Sequence, residues 1–358
     1  MTYQPTKSCL TAKERVVLAF QHREADRVPL YAEARNIGFI ERITGKKLQG
    51  SKEAMERITA DAYGTVGIDL MRTLMTPRWG IEKGPSHDVQ YDGYLKWKVG
   101  GEQALTLAEA QEYLKRRAES GQDPHDRAVE MIREVERVQA ILGNRTLFMP
   151  IVPASCLESI YHSIGIENFA FIMCDCPELL DAALQRNMEQ TIQMVEVINN
   201  IYDGPVIHCC DDLGMKNTTI VSPQWLREHV FPSMKAVVDK IKEGGKYFSF
   251  HSCGNVTAIV PDLIDVGIDA LDPIEITAGM DLAELKRDYG DRLVLIGNAN
   301  ANIIQMGSPD DVRAEVRRCC DEAAHGGGYF LSGGITQATP TGNVVAYFDE
   351  AKRYVVRN

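Results

Sequence analysis

Eight short apolar runs recur along the chain, each passing into a stretch with helical spacing, and no other feature restricts the fold as strongly. They are Val28 to Tyr31, Leu70 to Met75, Thr146 to Val152, Gly204 to Asp212, Lys246 to Cys253, Ala270 to Glu275, Leu293 to Ala299 and Gly328 to Gly333. Strands that alternate with helices call for a parallel sheet with helical crossovers. Eight such units, with no domain-sized linker between them, fit a (β/α)8 barrel better than an open doubly wound sheet. The expected organisation is a single domain over residues 1–358, with residues 1–26 as an N-terminal helical extension.

Thr11-Ala12-Lys13-Glu14 has the pattern of a capping box and opens the first helix. Val89 to Val99 alternates aromatic and polar residues around Asp92-Gly93, which predicts a β-hairpin excursion from the main fold. Further helices are expected over Phe39 to Ile43, Ser51 to Tyr63, Leu107 to Ser120, Asp126 to Leu142, Pro177 to Ile201, Ser222 to Gly244, Val256 to Val266, Leu282 to Asp288, Pro309 to Ala324 and Pro340 to Val355. Cys174 and Cys176 read as part of a loop before the Pro177 helix. Gly326-Gly327-Gly328 reads as a tight helix-to-strand turn.

The balance of 39 basic against 50 acidic residues gives a net charge of −11. No Lys/Arg run is long enough to follow a phosphate backbone, so nucleic acid and anionic membranes are not expected partners. The sequence has no membrane-length apolar run and no signal-peptide core in its first residues, and a cytoplasmic location is expected. Nine cysteines without regular spacing predict reduced thiols. Neither a Gly-x-Gly-x-x-Gly after the first strand nor a Walker lysine loop is present, which disfavours nucleotide chemistry.

In a barrel the C-terminal ends of the strands meet around one mouth, where such folds keep their active sites. His251 and Cys253 lie two apart, so on a strand they face one way and can reach one cation together. Glu275 ends the following strand, and an imidazole, a thiolate and a carboxylate are donors that zinc takes when it keeps a position open. The candidate metal ligands are therefore His251, Cys253 and Glu275. Strand four carries His208, Cys210 and Asp212 at period two. Asp212 and Glu33 are the candidate catalytic groups, Asp212 as a base, a hydrogen-bond acceptor or a further ligand. His208, Asp211 and Asn298 are the candidate substrate-binding residues, although His208 sits deeper in its strand and Asp211 can also cap a helix. His162 could line the entrance.

Thr11-Ala12-Lys13-Glu14-Arg15 with Asp26-Arg27-Val28-Pro29 resembles the opening of the uroporphyrinogen decarboxylase superfamily, and Thr339-Pro340-Thr341-Gly342-Asn343-Val344 resembles its closing motif. His251-Ser252-Cys253-Gly254-Asn255-Val256, Gly267-Ile268-Asp269-Ala270-Leu271 and Gly290-Asp291-Arg292-Leu293 are similar to its methyltransferase branch. The resemblance implies a (β/α)8 barrel. The decarboxylase's Arg-x-x-Gly-Arg loop is replaced by Ala32-Glu33-Ala34-Arg35-Asn36-Ile37-Gly38, and its Phe-Asp-Ser segment by Cys210-Asp211-Asp212-Leu213. An acidic mouth suits a porphyrin polycarboxylate poorly.

The branch with His-x-Cys implies zinc as cofactor and a corrinoid carried by a partner protein, since this chain has no Asp-x-His-x-x-Gly corrinoid module. Glu275 matches the carboxylate of the related cobalamin-independent methionine synthases, whereas Gly333 stands where a last-strand cysteine would be. The expected function is a methyltransferase moving a methyl group between a small-molecule donor or acceptor and cobalt. The alternatives are a decarboxylase of a modified tetrapyrrole and a non-catalytic corrinoid- or partner-binding barrel. A homodimer is compatible with the sequence.

Overall fold

The computed structural model describes residues 10–74, 88–91, 96–99, 105–119 and 123–354. The chain divides into two compact units, each assembled from separate stretches: residues 1–84, 134–149 and 270–358 form one, and residues 85–133 and 150–269 the other.

In the first unit every strand pairing is parallel. Leu70–Met71 pairs with Leu147–Phe148, Tyr31 bridges Leu70, and Leu30 bridges Leu331. Tyr329–Gly333 then pairs with Val294–Ala299, which pairs with Ala270–Ile274. The spatial order of the expected strands is thus three, two, one, eight, seven, six. The last strand lies beside the first, as the (β/α)8 reading requires. The strands are apolar on both faces because both faces are buried; Leu295, Ile296, Phe330 and Leu331 are fully buried.

The motif residues near the two ends of the sequence act structurally in this unit. Thr11 and Glu14 make the capping box, with the Thr11 N–H on Glu14 Oε2 at 2.6 Å and the Glu14 N–H on Thr11 Oγ1 at 3.2 Å. Arg15 Nη1 reaches Asp69 Oδ1 at 3.1 Å, Arg27 Nη1 reaches Asp69 Oδ2 at 2.6 Å, and the Leu30 N–H donates to the same carboxylate at 3.0 Å. Asn343 Nδ2 donates to the carbonyls of Ile304 and Gly307, tying the last helix, Thr341–Arg353, to the end of the Ala301–Met306 helix. Gly326, Gly327 and Gly328 all have positive φ, between 65° and 76°, and turn the chain from the Pro309–Ala323 helix into the Tyr329–Gly333 strand.

In the second unit Val206–Cys210 pairs in parallel with Tyr247–His251, and Ile151 bridges His208. The Leu107–Glu119, Glu178–Ile201 and Phe231–Glu243 helices belong to this unit and pack on one another. The expected hairpin is present as antiparallel Asp88–Tyr91 and Lys96–Val99, while its Asp92-Gly93 turn lies outside the described residues.

Three sequence expectations are corrected. The helix expected from Ser222 to Gly244 is two, Pro223–His229 and Phe231–Glu243, because Pro232 has no N–H to continue the ladder and the chain re-enters helix at Val230. The segment around Cys174 is not a loop: it is the last turn of a helix, Ile166–Asp175, preceded by another, Leu157–Ile164. Helix over Val256 to Val266 begins instead as a 3-10 turn, Thr257–Ile259, before Val260–Val266. Cys319 and Cys320 are fully buried packing residues, and the eight described cysteines form no disulfide with one another. No helix among the described residues is long and apolar enough to cross a membrane.

Candidate metal centre

The Tyr247–His251 strand ends at His251, and the chain turns outward through Ser252 and Cys253 to Gly254. The register pairs His208 with Ser249 and Cys210 with His251, so His208 lies one layer beneath His251 on the same face. Two glycines hold the turn. Gly254 has φ +86°, and a Cβ there would lie 2.3 Å from the Gly214 carbonyl carbon; a Cβ on Gly214 would lie 2.5 Å from the Cys253 oxygen. Backbone thus meets backbone directly beside Cys253, fixing where its side chain starts.

Asp212, His251 and Cys253 bring one donor atom each to within 4.8 Å of one another, and all three are half-buried. Cys253 Sγ is 3.4 Å from His251 Nε2, and Asp212 Oδ1 is 3.8 Å from the same nitrogen. Two donors about 2.0–2.3 Å from a tetrahedral zinc lie roughly 3.4–3.6 Å apart. The observed separations are close to that spacing. Nitrogen, sulfur and oxygen together are a borderline-soft set that suits zinc better than magnesium or calcium. The residues present therefore fit the ion.

Asp212 is aimed by its surroundings. Its Oδ1 accepts the Cys253 N–H at 2.8 Å. Its carbonyl accepts the Tyr161 hydroxyl at 2.9 Å, and its N–H points at Glu158 Oε2 at 3.4 Å. Next to it, Asp211 is fully buried and accepts the N–H groups of Leu157 and Glu158 at 3.0 and 2.6 Å. The Leu157–Ile164 helix has Cys156 at its N-cap with φ +61° and no side-chain cap of its own. Asp211 supplies that cap from a neighbouring strand end. Burial pushes the Asp211 carboxyl up to about 7 against the pull of those two N–H groups, with the Glu158 and Asp212 carboxylates adding to the rise.

The remaining sequence candidates have definite places. His208 is fully buried, with Nδ1 3.1 Å from Ser249 Oγ and its ring edge-on to His251 at 6.3 Å, so it supports the site from beneath and presents no surface to a substrate. Asp211, expected to face substrate, has no exposed surface and is occupied as the helix cap. Glu33 is held between Arg35 at 2.7 Å and Arg72 at 3.1 Å. Glu275 follows the Ala270–Ile274 strand, where its Oε1 accepts the Thr277 hydroxyl at 2.9 Å. Asn298 accepts from Arg318 Nη2 at 2.9 Å, while its buried Nδ2 has no partner among the described residues. His162 stands on the Leu157–Ile164 helix, 3.9 Å from Glu158 Oε1.

Sequence reasoning missed Tyr161, Glu158, Ser252 and Gly214. Ser252 Oγ accepts the Leu213 N–H at 2.9 Å and so stitches the Asp212 loop to the Cys253 loop. A Tyr three positions after a Glu on a short apolar segment carries no spacing signature of its own, and only the packing shows where its hydroxyl goes.

Among solved structures, a methyltransferase from Methanosarcina mazei is similar over 96% of this chain and 99% of that chain, at 20% identity and a TM-score of 0.65. That likeness shows the fold. A B12-independent methionine synthase from Shewanella sp. W3-18-1, in complex with selenomethionine, matches at 11% identity and a TM-score of 0.35, over 91% of this chain and 96% of that one. No curated protein matches the chain significantly. The uroporphyrinogen decarboxylase (URO-D) family description matches residues 119–354. With that match spanning well over half of the sequence, and the α/β barrel class reached from strand order agreeing with it, the chain belongs to the uroporphyrinogen decarboxylase family.

Proposed function

We propose that the chain is a zinc-dependent methyltransferase that moves a methyl group between a small methylated or thiol substrate and the cobalt of a corrinoid on a separate protein. The observation that carries this reading is the meeting of Asp212, His251 and Cys253 in a member of this family. These three residues would hold the ion, and Glu275, nominated from the sequence as a ligand, is tested by substitution. When bound, zinc supplies Lewis acidity that favours a deprotonated thiol or polarises a methylated heteroatom.

The chain's own residues prepare that chemistry. The Cys253 thiolate and the Asp212 carboxylate carry two negative charges, which balance a dication. The Cys253 N–H fixes the Asp212 carboxylate, and the two facing glycines fix Cys253. Asn298, whose buried Nδ2 has no partner among the described residues, is the candidate for holding a substrate acceptor group. Asp212, His251 and Cys253 would hold the zinc, which would polarise the substrate heteroatom and stabilise it as it leaves with its electron pair, while a reduced, cobalt(I) corrinoid on the separate protein would supply the pair that takes the methyl group.

Metal analysis tests the reading. Protein purified without chelator is expected to hold about one equivalent of zinc, lost in His251→Ala and in Cys253→Ala. Glu275→Gln tests the further ligand separately. Occupancy below about half an equivalent, or occupancy insensitive to His251→Ala, overturns the metal reading. Methyl transfer is then followed in the visible cobalamin spectrum, with methoxy compounds and reduced cobalamin in one arm and methylcobalamin with a thiol panel in the other. Turnover of a porphyrinogen without zinc would instead favour the decarboxylase chemistry for which the family is named.

A further inference from the structure

We propose that Tyr161 is a positioning residue for the metal centre, acting through the main chain of Asp212. The inference rests on the metal reading above and adds to it a residue that touches neither the ion nor the substrate.

Asp212 is the one donor of the three that is not on the Tyr247–His251 strand or the turn that ends it. It follows the Val206–Cys210 strand, so its aim depends on what holds its own loop. The Leu157–Ile164 helix does this at three points. Asp211 takes up the free N–H groups of the helix's first turn, the Tyr161 hydroxyl donates to the Asp212 carbonyl, and Glu158 faces the Asp212 N–H. Helix and loop are therefore fastened to each other, the helix by its missing cap and the loop by two contacts on either side of Asp212.

Tyr161 is 3% exposed, and its ring is edge-on to Phe169 at 6.1 Å, so its hydroxyl has a fixed origin. From that origin the hydroxyl donates to the Asp212 carbonyl at 2.9 Å. Groups that orient a ligand without touching the ion govern metal affinity by about 10–100-fold. The Tyr161 hydroxyl occupies that place for Asp212.

The test uses full-length protein, zinc competition against a chromophoric chelator, and the visible spectrum of the cobalt-substituted form. Tyr161→Phe keeps the ring and deletes the hydroxyl. Its zinc affinity is expected to fall about tenfold, and the cobalt ligand-field bands to shift, with the thiolate-to-cobalt band from Cys253 retained. In an Asp212→Ala background the same substitution is expected to change affinity less than about twofold, because the residue through which it acts is gone. Glu158→Ala, at a half-buried position, is expected to weaken zinc in the same direction if Tyr161→Phe does not fold.

Affinity and spectrum unchanged in Tyr161→Phe, or an equal loss in the Asp212→Ala background, overturns the positioning role and leaves the metal reading standing. Wild-type protein that takes up no zinc overturns both.

Discussion

Replacing Asp211 with asparagine should flatten the pH dependence of stability in the metal-free protein. Asp211 is fully buried, and its carboxyl is pushed from its ordinary 3.8 to about 7, chiefly by burial. A folded-state value above the unfolded one means that the native state holds the proton more tightly. Its favourable contribution is complete below about pH 4 and is lost as pH rises toward 7. At about 1.4 kcal/mol per tenfold change, the whole window is worth about 4 kcal/mol, and the part between pH 5 and 7 about 2 kcal/mol.

Asparagine does not titrate. It can accept one of the N–H groups of Leu157 and Glu158 but not both, so Asp211→Asn carries a pH-independent loss of about 1–3 kcal/mol. The difference between wild type and variant should thus be largest at pH 5 and shrink by about 2 kcal/mol by pH 7. Urea titrations of both proteins in chelator at pH 5, 6, 7 and 8 measure it, and other titrating groups cancel in the difference. Stability curves that run parallel across that range would refute the reasoning.

Other substitutions read the scaffold and the turn. Asp69→Ala strips the shared partner from Arg15 and Arg27 and leaves the Leu30 N–H without its acceptor; it should cost about 3–5 kcal/mol in calorimetric or denaturant unfolding, and Asp69→Asn less. Gly254→Ala forces a Cβ to 2.3 Å from the Gly214 backbone at φ +86°, so the Cys253 turn must move; zinc affinity should fall more than tenfold, while Gly342→Ala, with open space around it, should leave affinity unchanged.

Much of the fold was readable because buried parallel strands are apolar throughout and helices announce their starts. All eight expected strand positions carry strand or bridge pairing in the structure, and Thr11 caps the first helix as its capping box predicts. The pair His251 and Cys253 was readable from period-two spacing. What escaped was tertiary. The Leu157–Ile164 helix starts from Cys156 in a left-handed conformation, with its cap supplied 54 positions along the chain by Asp211, so no local start signal exists. Asp212 could be named as a candidate but not assigned among three roles, because its aim is set by Tyr161, Glu158 and Cys253 together. Glu33 was a candidate catalytic group at a strand end, and the identity of its ion-pair partner, Arg72, 39 positions away, has no signature in sequence.

The pairing of Leu30 with Leu331 also bears on how the protein is made. On the ribosome the first strand of its unit meets the Leu70 strand early but waits for about 300 further residues before its other neighbour exists, and contacts of that separation form slowly. The other unit, complete by residue 269, can close earlier. A chain halted before Leu331 would thus carry one finished unit beside an open, apolar sheet edge, the kind of species that chaperones hold and that aggregates when they do not.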